Sequence, residues 1–175
     1  MSAPELSRPV RVDTLGESPR TLAVEADESE RSALAKRFGY VGIARLSAEV
    51  AVSRSAETVT ARGTLRAALE QTCVATGEAV GEEVEEPFAV EFRPPADADA
   101  QEELELGASE IDVVFYDGAT VDIGEAVAET LSLAADPYPR SPNAEEALRE
   151  AGVRSEEEAR AESSPFAALK DRLGG

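Results

Sequence analysis

Histidine is absent from this chain, tryptophan is absent, and cysteine occurs once, at Cys73. Without histidine the commonest general base and the commonest metal ligand are missing, and the Ser/His/Asp and Cys/His mechanisms go with them. A single cysteine excludes an intrachain disulfide. Aromatic residues make up only 5% of the chain, so the 42% that is hydrophobic must build a core from small aliphatic side chains. No apolar run approaches the roughly 20 residues that cross a bilayer. The opening Met1–Arg8 shows no basic start followed by an apolar stretch and small-residue cleavage site. The expected location is therefore the cytoplasm. No phosphate-cradling glycine motif follows a strand, so nucleotide binding and a small-molecule substrate have no support, and no cofactor is expected.

Positive charge is also scarce. Seventeen Lys and Arg stand against 36 Asp and Glu, a formal net charge of -19. That balance opposes the approach of a phosphate backbone and favours basic partners. The plainer reading is a solvated or salt-adapted surface. Lys36 and Lys170 are the only lysines, a bias that reads as genome composition and carries no function.

What is present is patterned. Pro9–Val12 and Thr21–Glu25 read as two short strands, joined through Gly16, Ser18 and Pro19, that pair as a hairpin. Asp27–Phe38 has helical period, acids at its start, Lys36 and Arg37 at its end, and Gly39 as its stop. Ile43–Ser53 alternates, with Ala44, Leu46, Ala48, Val50 and Val52 on one face. Val59–Leu69 continues the alternation, predicting a long antiparallel hairpin in which Gly63 marks a bend or bulge. Cys73 ends that strand and Thr76-Gly77-Glu78 turns. Val84–Phe92 returns as a strand in which Pro87 argues for an edge or bulge. Residues 94–107 have the composition of a solvated acidic loop, Ile111–Tyr116 is a strand, and Asp117-Gly118 a turn.

The stretch Asp122–Pro139 is the most informative. Asp122 is placed to cap a helix with Glu125 reaching back in a capping box. Ile123, Val127, Leu131 and Ala134 share one face, and Pro137 and Pro139 forbid continuation, so the helix spans about 122–135. Beyond it, Ala144–Ala151 reads as a short charged helix. Glu156–Glu158 belong to a polar tail, and Pro165 opens an amphipathic stripe of Phe166, Leu169 and Leu173.

Asp122-Ile-Gly124-Glu125, followed by Glu129, Leu131, Pro137 and Pro139, together with Cys73, Phe88, Phe92 and the strand Ile111–Phe115, resembles the YceD family, the large-ribosomal-RNA-subunit accumulation proteins of bacteria and plastids. The resemblance covers roughly residues 5–140. It implies a role in the synthesis, processing or stability of large-subunit (23S) ribosomal RNA and implies no known reaction. Many members carry a second cysteine three residues after the first and further cysteines near the Pro-x-Pro segment, a set suited to zinc. Thr76, Arg140 and Ser141 stand there in this chain, so no metal is expected.

The remaining chemistry is thin. As a nucleophile Cys73 needs a cation or helix terminus to lower its pKa, and none is near in sequence, so it reads as a small buried hydrophobe. Glu82/Glu83 and Glu102/Glu103 offer paired carboxylates but read as solvated charge. Phe88 and Phe92 read as core in preference to base-stacking rings. The family-motif residues are thus expected to be mostly structural. Arg8, Arg11, Arg20, Lys36, Arg37 and Arg45 concentrate cations in the N-terminal quarter. Convergence of these side chains in the fold would favour RNA contact.

The expectation is an α+β fold, an antiparallel sheet or partly open barrel with two packed helices and an acidic C-terminal tail. Residues 5–140 are expected to form the domain and 141–175 a charged, partly disordered tail. The expected function is that of a non-enzymatic ribosome-biogenesis factor acting through a basic ribosomal protein or a large-subunit assembly intermediate. Alternatives are a direct rRNA-binding module and a carboxylate-dependent hydrolase.

Overall fold

The computed structural model describes residues 4–95, 111–116 and 118–154. The chain divides into two compact units, Met1–Gln71 with Gly81–Pro137 and Thr72–Val80 with Tyr138–Gly175. In the first unit alternation dictates a sheet. Strands β3 (Gly42–Ser55) and β4 (Thr58–Thr72) pair antiparallel across the two-residue turn Ala56-Glu57. Leu46, Ala48, Val50 and Val52 of β3 and Val59, Ala61, Leu65, Ala67 and Leu69 of β4 are buried. Each buried Val or Leu contributes about 1.5–3 kcal/mol, so this hairpin is the largest part of the core.

Two details differ from the pattern. Ala44 is exposed and Ile43 buried, because the register shifts between Ile43 and Arg45. Gly63 is neither bend nor bulge, since it sits in unbroken register opposite Val50. It is glycine because a Cβ there would lie 2.2 Å from the Glu49 carbonyl oxygen.

Strand β2 (Arg20–Glu25) pairs antiparallel with the other edge of β3. Strand β5 (Ala79–Arg93) lies beside β4, and β6 (Asp112–Phe115) is parallel to β5. The order β2-β3-β4-β5-β6 leaves an open sheet that is not closed into a barrel. Pro87 falls outside Val90–Arg93, the stretch that β6 covers, as a residue without a backbone donor requires.

A second, two-stranded sheet pairs β1 (Pro9–Arg11) with β7 (Thr120–Asp122). The hairpin expected between Pro9–Val12 and Thr21–Glu25 therefore does not form. A tight turn at Val12–Thr14 redirects the chain, and β2 gains six paired positions on β3 where the three residues of β1 offer half as many.

Helix α1 (Glu28–Phe38) packs on β3 and is closed, as expected, by Gly39 at φ 75°; the acids at its start, expected only to favour the helix dipole, do more, because Asp27 stands outside the helix and forms a complete capping box with Glu30. Helix α2 (Ile123–Ala134) buries more than the stripe read from periodicity, because Gly124, Ala126 and Ala128 lie as deep as Ile123, Val127 and Leu131. Small residues let that face approach its neighbours closely. Leu133 is exposed.

In the second unit Thr72–Val80 forms a tight turn closed by Gly77 N–H to the Cys73 carbonyl at 3.0 Å and Cys73 N–H to the Glu78 carbonyl at 2.7 Å. Helix α3 (Ala144–Glu150) follows Asn143. Among the described residues no helix is long and apolar enough to cross a membrane. The loop from 96, the pair Glu102/Glu103, Glu156–Glu158 and the stripe at 165–173 lie outside the described residues.

Candidate functional site

The residues Asp122, Gly124 and Glu125 act together, and what they hold is the N-terminal segment Glu5–Arg8. The Asp122 carboxylate accepts from Gly124 N–H (3.0 Å) and Glu125 N–H (3.2 Å), as a cap does. It also accepts from the Arg8 amide (2.7 Å) and the Ser7 hydroxyl (2.6 Å), more than a hundred residues away in sequence. Gly124 is needed for the same contact, since a Cβ would lie 2.7 Å from the Leu6 carbonyl oxygen and 2.9 Å from the Arg8 nitrogen. Leu6 is fully buried beneath.

Glu125 does not complete the expected capping box. Its carboxylate grips Arg37 through both terminal guanidinium nitrogens, at 2.7 and 3.1 Å, and Arg37 also reaches Glu5 at 3.0 Å. The Glu125 carboxylate holds the Arg37 guanidinium above its usual range against the effect of burial, with Glu5 acting in the same sense. Charge pairing across α1, α2 and the N-terminal segment thus competes successfully with the local cap. The other motif residues divide by burial: Leu131 and Phe92 lie in the core, Phe88 packs half-buried against it, and Glu129 and Pro137 are exposed.

In the second unit Cys73 is buried. Its sulfur accepts from the amides of Ser141 (3.2 Å) and Thr76 (3.4 Å), and the Thr76 and Ser141 hydroxyls are 3.1 Å apart. The Pro139 carbonyl accepts from Val74 N–H at 2.9 Å. Burial pushes the Cys73 thiol up, but hydrogen bonds from Ser141 and Thr76 outweigh it and bring the thiol down to about 6. Sequence reasoning looked for a cation and missed this, because the donors are a backbone turn and a residue 68 positions away. Two hydroxyls and one thiol do not make a zinc site, and among the described residues no group of three or more His, Cys, Asp or Glu is placed to hold a metal. Arg140 is exposed.

The six cations do not form one face. Arg8 holds Glu30, Arg11 holds Asp13, Arg37 holds Glu5 and Glu125, and Arg45 holds Glu83. Arg8 and its salt bridge keep the Glu30 carboxyl below its usual range. Arg8, Arg11 and Arg20 do line one groove of about 370 Å³ between β1 and β2, while Lys36 lies on a different surface beside Glu28 and Arg31. Glu82 and Glu83 are not a working pair either. Glu82 turns to accept from Gln71 (2.9 Å) and the Asp136 amide (3.1 Å), whereas Glu83 faces outward to Arg45. Glu49, Glu70, Glu86 and Glu129 are exposed carboxylates with no cation in ion-pair range among the described residues.

Among known proteins, residues 61–171 match a family described as Large ribosomal RNA subunit accumulation protein YceD. The matched span begins within β4, takes in Cys73 and the Asp122–Glu125 motif, and runs past residue 140. No curated protein and no solved structure matches the chain.

Proposed function

Because the chain belongs to the YceD family of large-ribosomal-RNA-subunit accumulation proteins, we propose that it promotes the synthesis, processing or stability of 23S ribosomal RNA without catalysing a reaction, by binding a basic ribosomal protein in a large-subunit assembly intermediate in the cytoplasm. The role in accumulating the large RNA comes with the family. The choice of a protein partner rests on one observation: the cations that would contact RNA are mostly committed to carboxylates, whereas exposed carboxylates such as Glu49, Glu70, Glu86 and Glu129 are left over.

Exposed charges attract over a Debye length of about 8 Å at physiological salt and about 3 Å at 1 M. Titration of the purified chain with individual basic ribosomal proteins should therefore give binding that falls steeply with salt. Replacing Glu49, Glu70, Glu86 and Glu129 together by Gln should weaken it with the fold unchanged. Tight binding to bare large-subunit RNA, with no basic protein bound above background, overturns the reading in favour of direct RNA contact. In a deletion strain the ratio of large- to small-subunit RNA should fall, and an unchanged ratio refutes the cellular role.

A further inference from the structure

The groove between β1 and β2 is bordered by an open strand edge. The Ala26 amide donates to the Leu46 carbonyl at 3.0 Å, and Ala26 continues the β2–β3 register in which Val24 faces Ala48 and Leu22 faces Val50. In an antiparallel pair alternate residues turn both backbone groups to the same neighbour. Leu22 and Val24 therefore bond to β3, and Thr21, Ala23 and Glu25 turn their N–H and C=O outward. The Glu25 carbonyl is met by the Arg8 guanidinium at 2.7 Å, which closes one end of the groove. Among the described residues no strand lies on the outer side of β2. An unpaired row of this kind is a template for another strand.

The lining says which occupant fits. Val10 and Leu22 are half-buried and supply an apolar floor over the buried Val24 and Ile123, with Arg11 and Arg20 exposed at the mouth. Among the described residues no aromatic ring lines the groove, so these residues offer no stacking platform of the kind on which unpaired bases rest. Arg8 is committed to Glu30 and to backbone carbonyls. Among the described residues Arg20 has no acidic partner and Arg11 is held only by the exposed Asp13, a contact of the weak kind. One or two available cations beside a backbone edge suit a carboxylate on a peptide better than a run of phosphates.

We propose that the outer edge of β2 takes an extended peptide segment of a partner protein by strand addition, backbone bonding to Thr21 and Ala23, with short apolar side chains on Leu22 and Val10 and a carboxylate on Arg20 and Arg11. Affinity in this mode comes from main-chain hydrogen bonds and specificity from alternate side chains. The site is separate from the exposed carboxylates invoked for the basic partner, so either reading can fail alone.

The test uses the whole chain and a capped hexapeptide in which threonine alternates with valine and glutamate ends the valine series, against a counterpart ending in lysine. The glutamate peptide should bind and slow hydrogen exchange at the Thr21 and Ala23 amides. Ala23→Pro removes an outward donor that no ladder bond uses, and should weaken binding at least tenfold. Arg20→Glu should reverse the preference between the two peptides, and decides alone if the proline variant does not fold. No binding to the wild-type chain, equal binding by folded Ala23→Pro, unchanged preference in Arg20→Glu, or Arg20-dependent binding of single-stranded RNA in place of the peptide would each overturn the proposal.

Discussion

Replacing Asp122 by alanine tests how the N-terminal segment is fastened. A plain helix cap is worth about 1 kcal/mol. Asp122 does more, because its carboxylate also receives the Arg8 amide and the Ser7 hydroxyl in a partly buried position. Removing it leaves the Arg8 amide without this acceptor, which costs about 1–3 kcal/mol beyond the cap. The expected total is about 3 kcal/mol, read from urea unfolding followed by far-ultraviolet circular dichroism. Asp122→Asn keeps an oxygen for the three amides and should lose about 1 kcal/mol, the smaller effect expected when charge alone is removed from a hydrogen bond. Ser7→Ala should lose a similar amount on its own and little more in the Asp122→Ala background, since contacts in one network do not add. A loss of 1 kcal/mol or less for Asp122→Ala, or full additivity with Ser7→Ala, refutes the account and returns Asp122 to a local cap.

The same reasoning gives further expectations. Gly124→Ala and Gly63→Ala should each destabilise the fold by more than 1 kcal/mol, since the added carbon meets backbone at 2.7 and 2.2 Å, as overpacking against an unyielding neighbour does at about 1–3 kcal/mol; unchanged denaturation midpoints would contradict this. Ala56 holds φ 53° in the β3–β4 turn, and Ala56→Gly should stabilise by about 1 kcal/mol, because the left-handed region costs an L-residue about 1–2 kcal/mol; a lower midpoint would show that the turn tolerates alanine without strain. The single thiol, followed by thiolate absorbance, should titrate near 6. Its folded pKa lies below the unfolded value, so its contribution to stability is full above about 8.5 and disappears as pH falls through about 6; a midpoint near 8.5 would rule out the hydrogen-bonded thiolate. Chelators should leave the unfolding temperature unchanged, and a drop would mean that Cys73 shares a metal.

The amino-acid sequence by itself determined the elements whose cause is local. The alternation from Leu46 to Leu69 specifies a sheet face, Asp27 with Glu30 and Gly39 bound α1, and the prolines after Ala135 end α2. The absence of histidine and the surplus of carboxylates were equally legible, because they need no partner to be counted. Tertiary structure decided whatever depends on a distant chain segment. Which strand β1 chooses, that Gly63 makes room for Glu49 where no bulge forms, and that Glu125 prefers Arg37 to its own helix end all involve residues far apart in sequence. The low thiol pKa of Cys73 depends on Ser141, and the open edge of β2 on the absence of any strand at its side among the described residues. Periodicity reports which side of an element is apolar, and it contains nothing about what that side or edge will meet. The Asp122–Glu125 motif stands at that boundary: its residues marked a helix start on their own, and only the packed chain made them the anchor of residues 5–8.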